Sequence, residues 1–160
     1  MNCPSLLHSP SQWIAAAIVT AACTVPALAQ ERASREEAVT MAKAAVAYVA
    51  KYGKDKAMAD FNDPANAEWH KKDLYVFAVM MNGDVLAHGV NAKLIGKNVI
   101  DLKDPNGKLM IQEFRDVAAK GGGWVDYEWP HPQTRRVEAK TSYVVRFSNI
   151  DAFVGVGVYR

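Results

Sequence analysis

The sequence predicts an α+β domain, an antiparallel sheet with its helices segregated onto it. Two observations carry this. The apolar pattern is helical in three stretches and strand-like in five, in the order α-α-β-β-loop-α-β-β-β, joined by meander connections with no βαβ crossover. Asn82-Gly83 separates two β-favouring runs, and this dipeptide supplies the positive φ angles of a two-residue hairpin turn.

Taken in order, Ser34 followed three residues later by Glu37 fits a capping box. Ala38, Met41, Ala42, Ala45, Val46 and Val49 then recur at helical spacing, so a long amphipathic helix runs to Tyr52 and stops at Gly53. A short helix, Lys56 to Phe61, is broken by Asn62-Asp63-Pro64, and Ala65 to Lys72 reads as irregular. Leu74 to Met81 is a continuous apolar run of β-favouring residues, hence a buried strand, and Val85 to Gly89 returns from the hairpin. Asn91 to Lys103 is a loop with a small apolar cluster, positioned to act as a pocket lid. Asp104-Pro105-Asn106-Gly107 turns into a helix over Lys108 to Lys120, with Leu109, Ile111, Phe114, Val117 and Ala118 inward. Strands follow over Gly121 to Trp129, Val137 to Phe147 and Ala152 to Tyr159.

The 160 residues are a single-domain length, half of them hydrophobic. A formal charge of +2, from 19 basic and 17 acidic residues without a clustered run, gives no field for nucleic acid. Residues 1–29 read as an export signal: an apolar run from Trp13 to Val25, then Ala27-Leu28-Ala29 as a small-x-small cleavage site before Gln30. The segment before that run carries no Lys or Arg, only His8. Cys23 follows Ala21-Ala22 without the Leu a lipoprotein signal carries three residues earlier. Both cysteines, Cys3 and Cys23, fall in this leader. The mature domain, residues 30–160, is therefore expected to be a soluble periplasmic protein with no disulfide and no thiolate. The chain's stop at Tyr159-Arg160, with no second apolar span, fits that expectation.

The stretch from Gly121 to Tyr143 concentrates the candidate chemistry. Three glycines open it, permitting positive φ and close approach of another segment. Tyr127 and Trp129 share one strand face and line one wall, with Trp124 and Glu128 on the other. Tyr75 and Phe77 share a face of the first strand, suited to an aromatic floor, and His88 ends a strand beside the lid loop. Lys140 and Tyr143 are suitable donors to a carboxylate. Being three apart on a strand, they reach the same pocket only if a bulge intervenes. Core packing accounts for the aromatics equally well.

Other chemistry finds no support. Aligning Asp104, Asn106 and Gly107 to a calcium loop puts Glu113 at its last position but Leu102 at its first, so the segment reads as a turn. His70, His88 and His131 lack metal-ligand spacing. There is no Gly-x-Ser-x-Gly elbow, phosphate loop or haem-attachment motif, so neither an enzyme nor a bound cofactor is expected. A haem- or flavin-binding protein is the alternative that absorbance would expose.

The motifs in chain order resemble a known family. Asn82-Gly83-Asp84-Val85-Leu86-Ala87-His88, Gly96-Lys97-Asn98, Asp104-Pro105-Asn106-Gly107-Lys108, Gly121 to Pro130, Lys140-Thr141-Ser142-Tyr143-Val144 and Val154 to Tyr159 look like the single Cache domain, a PAS-like extracellular sensor module. The resemblance implies a five-stranded antiparallel sheet with a long N-terminal helix and a helix-bearing lid loop. It implies a pocket for a small organic molecule, often a carboxylate, and it favours Lys140 over Tyr143 as the anion's partner. Relatives of this kind relay to a kinase or chemotaxis module in the same chain. With no output segment after Arg160, this chain is expected to act through a separate membrane-bound partner. His88-Gly89 departs from the His-Pro of many relatives. The rival reading is an interaction module whose pocket is filled by side chains, with the long helix as its working surface in a homodimer.

Overall fold

A computed structural model describes residues 32–160; the proposed export signal lies outside these. Helix α1 (Arg35–Tyr52) starts on the expected capping box: the Ser34 hydroxyl accepts from the Glu37 amide at 3.2 Å, and the Glu37 carboxylate accepts from the Ser34 amide at 2.8 Å. Its buried stripe, Ala38, Met41, Ala42, Ala45 and Val49, is rich in small residues, so the helix axis can lie close to the sheet. Helix α2 (Lys54–Asn62) follows directly and buries Phe61 edge-on to Trp69, ring centroids 4.7 Å apart.

The segment read as irregular contains one more strand than expected. β1 (His70–Lys71) pairs with β2 (Leu74–Met80) through a tight turn in which Lys72 adopts a φ of 59°. Two residues are too few to leave a periodic signal in sequence. β3 (Val85–His88) returns from the Asn82-Gly83 turn, and α3 (Met110–Ala119) precedes β4 (Gly123–Pro130), β5 (Val137–Arg146) and β6 (Ala152–Tyr159). The six strands form one antiparallel sheet in the order β1-β2-β6-β5-β4, with β3 also paired to β2. The last strand in sequence is therefore interior, between β2 and β5, and every residue of β6 is buried. α1 and α2 cover one face, and α3 with the 91–104 loop covers the other.

Between β2 and β3 the register breaks. Val79 faces Val85, but Ala78 faces Ala87, leaving Leu86 as an extra residue. A bulge of this kind flips the side chains beyond it. By strict alternation Val85 and His88 would lie on opposite faces; the bulge brings both to the α3 face.

The 91–104 loop is tied to the hairpin by backbone bonds from Val85 to Lys97 and from Gly96 to Val85, 3.0 and 2.9 Å, and by Asn98, which donates to the Asp84 carboxylate at 2.8 Å. Gly83 (φ 100°) lets it pass, since a Cβ there would lie 2.6 Å from Ile100 Cβ. Asp104 behaves as the turn residue expected, but it holds the turn and not the helix end. Its carboxylate accepts from the amides of Asn106 and Lys108 at 2.9 Å and from Glu128 on β4 at 3.2 Å. α3 consequently starts at Met110, after the turn, not at Lys108.

Candidate functional site

Register places the central residues. On the α3 face, Tyr127 of β4, Lys140 of β5 and Tyr159 of β6 lie side by side across three strands. One row further on, Ser142 pairs with Gly157. Gly157 leaves the space the Lys140 stem occupies, since a Cβ there would lie 2.5 Å from Lys140 Cε. Gly155 does the same for the Phe77 ring, which lies directly over it.

Lys140 is completely buried. Its ammonium donates to the Tyr75 hydroxyl at 2.7 Å and, at 3.4 Å, to the Tyr159 hydroxyl. It also stands 4.0 and 4.5 Å from the centroids of those two rings. Among the described residues no carboxylate forms an ion pair with it. Desolvation therefore drives its pKa well below the ordinary lysine value, opposed only weakly by the more distant Asp73. Burial raises the phenols of Tyr75 and Tyr159, the latter to about 12, so both stay hydroxyls. Tyr159 donates in turn to the Pro130 carbonyl at 3.0 Å, and Tyr127 shares a 2.9 Å hydrogen bond with Ser142.

His88 is also buried. Its ring centroid lies 5.1 Å from that of Tyr75 and 6.3 Å from that of Trp129, and its Nδ1 has no hydrogen-bond partner among the described residues. Burial first, then the Lys140 charge, push its pKa down to about 3, so the imidazole is neutral. Phe77, His88, Tyr127 and Trp129 close over a cavity with Phe114 of α3 and apolar side chains of the lid. Its volume is about 30 Å³, room for roughly one water molecule. Tyr75 lines it too and connects it to the Lys140 ammonium.

Six of the seven expected site residues thus converge: Tyr75, Phe77, His88, Tyr127, Trp129 and Lys140. Tyr143 does not. The β4–β5 register runs unbroken from Pro130↔Val137 to Gly123↔Val144, so no bulge turns it inward. Tyr143 packs edge-on against Trp124 on the α1 face, ring centroids 5.6 Å apart. Tyr159, Ser142 and Phe114 complete the site without having been expected there. The glycine spacing Gly155-Val156-Gly157 in an otherwise apolar strand was the available signal, because a strand glycine marks a close approach. Among the described residues no group of three His, Cys, Asp or Glu side chains is placed to hold a metal.

Comparison with known proteins agrees with this architecture. The alignment to sensor histidine kinase MctS of Rhizobium johnstonii has 36% identity over 88 residues, covering 55% of this chain and 19% of that protein. That to methyl-accepting chemotaxis protein McpP of Pseudomonas putida has 31% identity over 88 residues, 54% of this chain and 16% of that one. The match thus spans less than a fifth of these curated relatives. Among solved structures, a methyl-accepting chemotaxis protein from Vibrio parahaemolyticus superposes with a TM-score of 0.68 at 26% identity, covering 78% of this chain and 86% of that one. A Cache chemosensory domain described for carboxylic acid recognition gives 0.62 at 25% identity, with 78% and 86% coverage. The profile of Single Cache domain 2 matches residues 16–160, and the chain belongs to that family of sensor domains.

Proposed function

We propose that this chain is an exported, periplasmic, non-catalytic binding module for a small carboxylate, relaying occupancy to a separate membrane-bound partner. The observation that carries the reading is Lys140: a fully buried amino group held by two phenol oxygens and two ring faces, with no carboxylate among the described residues to pair its charged form. Such a group favours an anion that arrives without its water, and a carboxylate accepting from Lys140 and Tyr75 supplies one. The neutral His88 offers a further polar contact without adding charge, and Phe77, Tyr127 and Trp129 enclose the carbon skeleton. Export rests on the leader ending at Ala29, and the carboxylic-acid-recognising Cache relative supports the ligand class. The cavity of about 30 Å³ is smaller than any organic acid, so binding requires the aromatics and the lid to yield. The lid displacement is the altered surface a partner reads, a population shift driven by differential affinity.

The test is thermal unfolding against a panel of small carboxylates, before and after refolding from denaturant. A ligand of the native state raises stability with the logarithm of its concentration. The reading expects a dose-dependent rise for wild type and none for Lys140→Met. A flat response from the refolded wild type sinks it. The small cavity favours a second reading, an interaction module whose pocket is filled by its own side chains. That module retains its partner in Lys140→Met.

A further inference from the structure

Next to this cavity lies a groove of about 440 Å³, whose wall includes His70, Asp73, Tyr75, His88 and Gln133. Tyr75 and His88 belong to both compartments, so they form the partition between them. Nearly every buried polar valence in this wall is spent. The two His70 ring nitrogens face the carbonyls of Asn66 and Gly89 at 3.2 and 2.9 Å. Asn62 accepts from the His88 amide at 2.9 Å and donates to the Leu86 carbonyl at 3.4 Å. Two atoms are left over: Asp73 Oδ2 and His88 Nδ1, both buried and without a partner among the described residues. Asp73 is only 2% exposed; its other oxygen accepts from the Ala33 amide at 2.9 Å. Asp73 acts electrostatically on both Lys140 and Tyr159, so it belongs to the same electrostatic neighbourhood.

Lys140, bonded to the Tyr75 hydroxyl of the partition, and the buried Asp73 oxygen of the groove wall therefore lie within electrostatic reach of each other, and they do not form an ion pair. A simple carboxylate satisfies the first and leaves the second orphaned. A molecule with a carboxylate at one end and an ammonium at the other satisfies both, because an N–H donor is what Asp73 Oδ2 lacks. We propose that the groove is the second half of the ligand site, and that the ligand is a small amino-carboxylate whose ammonium donates to Asp73 while Lys140 holds its carboxylate. This rests on the carboxylate reading of Lys140 and narrows it.

The experiment is calorimetric titration of the full chain with paired probes: glycine with acetate, β-alanine and L-alanine with propionate, and 4-aminobutyrate with butyrate. It is repeated on Asp73→Asn, which keeps an oxygen for the Ala33 amide but removes the charge. The expected result is that at least one amino-carboxylate binds about tenfold tighter than its deaminated partner, the size of a charge-assisted hydrogen bond. Asp73→Asn should bring that ratio to about unity; the ratio is the readout because losing the Asp73 charge acts through Lys140 on both members of a pair alike. Two results overturn the inference alone: simple carboxylates that bind through Lys140 with no amino compound exceeding them, or a preference that survives Asp73→Asn. If neither series binds the folded protein, the carboxylate reading falls with it.

Discussion

Replacing Lys140 by methionine should stabilise the ligand-free protein while abolishing its response to carboxylate. The magnitude follows from the site. At pH 7 a buried lysine can always escape its charge by losing a proton, so its burial costs at most about 5 kcal/mol, the free energy of deprotonating an ordinary lysine at that pH. The short bond to the Tyr75 hydroxyl and the two ring faces favour the charged form and bring its net penalty below that ceiling, to on the order of 2 kcal/mol. Methionine has a similar length and no such cost, and Tyr159 keeps its bond to Pro130. The variant should therefore melt roughly 6 °C higher. The sign with pH is fixed as well. Because the folded-state pKa is depressed, the unfolded chain holds more protons between that value and 10.5. Wild-type stability should accordingly rise with pH across that window, and its deficit against the variant should shrink by pH 9.5. Urea unfolding of both proteins at pH 7 and 9.5 measures this. A variant that is less stable than wild type at pH 7, with a gap independent of pH, would refute the argument that the ammonium is uncompensated.

Other outcomes test other parts of the design. His88, with its pKa pushed from 6.5 to about 3, stabilises the fold only while neutral, so on the order of 5 kcal/mol should drain away as pH falls from 6.5 towards 3. Denaturation across that range should show the loss, and His88→Gln should flatten it. Gly155→Val drives a side chain into the Phe77 ring and should cost about 2 kcal/mol or more, with part of that recovered in the double variant with Phe77→Ala. Asp104→Ala removes the acceptor of three backbone amides and should cost about 2–3 kcal/mol in urea unfolding, and Asp104→Asn clearly less.

Local rules set much of what was readable in advance. The capping box at Ser34 and Glu37, the helical stripe from Ala38 to Val49 and the hairpin at Asn82-Gly83 are short-range features, decided within a few residues. Strand periodicity placed Tyr75 with Phe77 and Tyr127 with Trp129, because alternation holds wherever a strand is regular. The same rule put Lys140 and Tyr143 on opposite faces, and β5 obeys it.

What alternation could not say was which residue of a pair faces the site, or where a strand breaks the rule. The β3 bulge that turns His88 inward depends on how β3 meets β2, and nothing within β3 itself announces it. The two-residue β1 exists only because β2 offers it an edge.

The sequence by itself determined the element order, the α+β class, the family motifs and the residues with useful chemistry, since each is a property of neighbours along the chain. Tertiary structure alone decided that β6 closes the sheet interior between β2 and β5. That long-range pairing brings Tyr159, Gly157 and Tyr75 around Lys140, and it turns an ordinary lysine into a buried amino group with no paired carboxylate among the described residues.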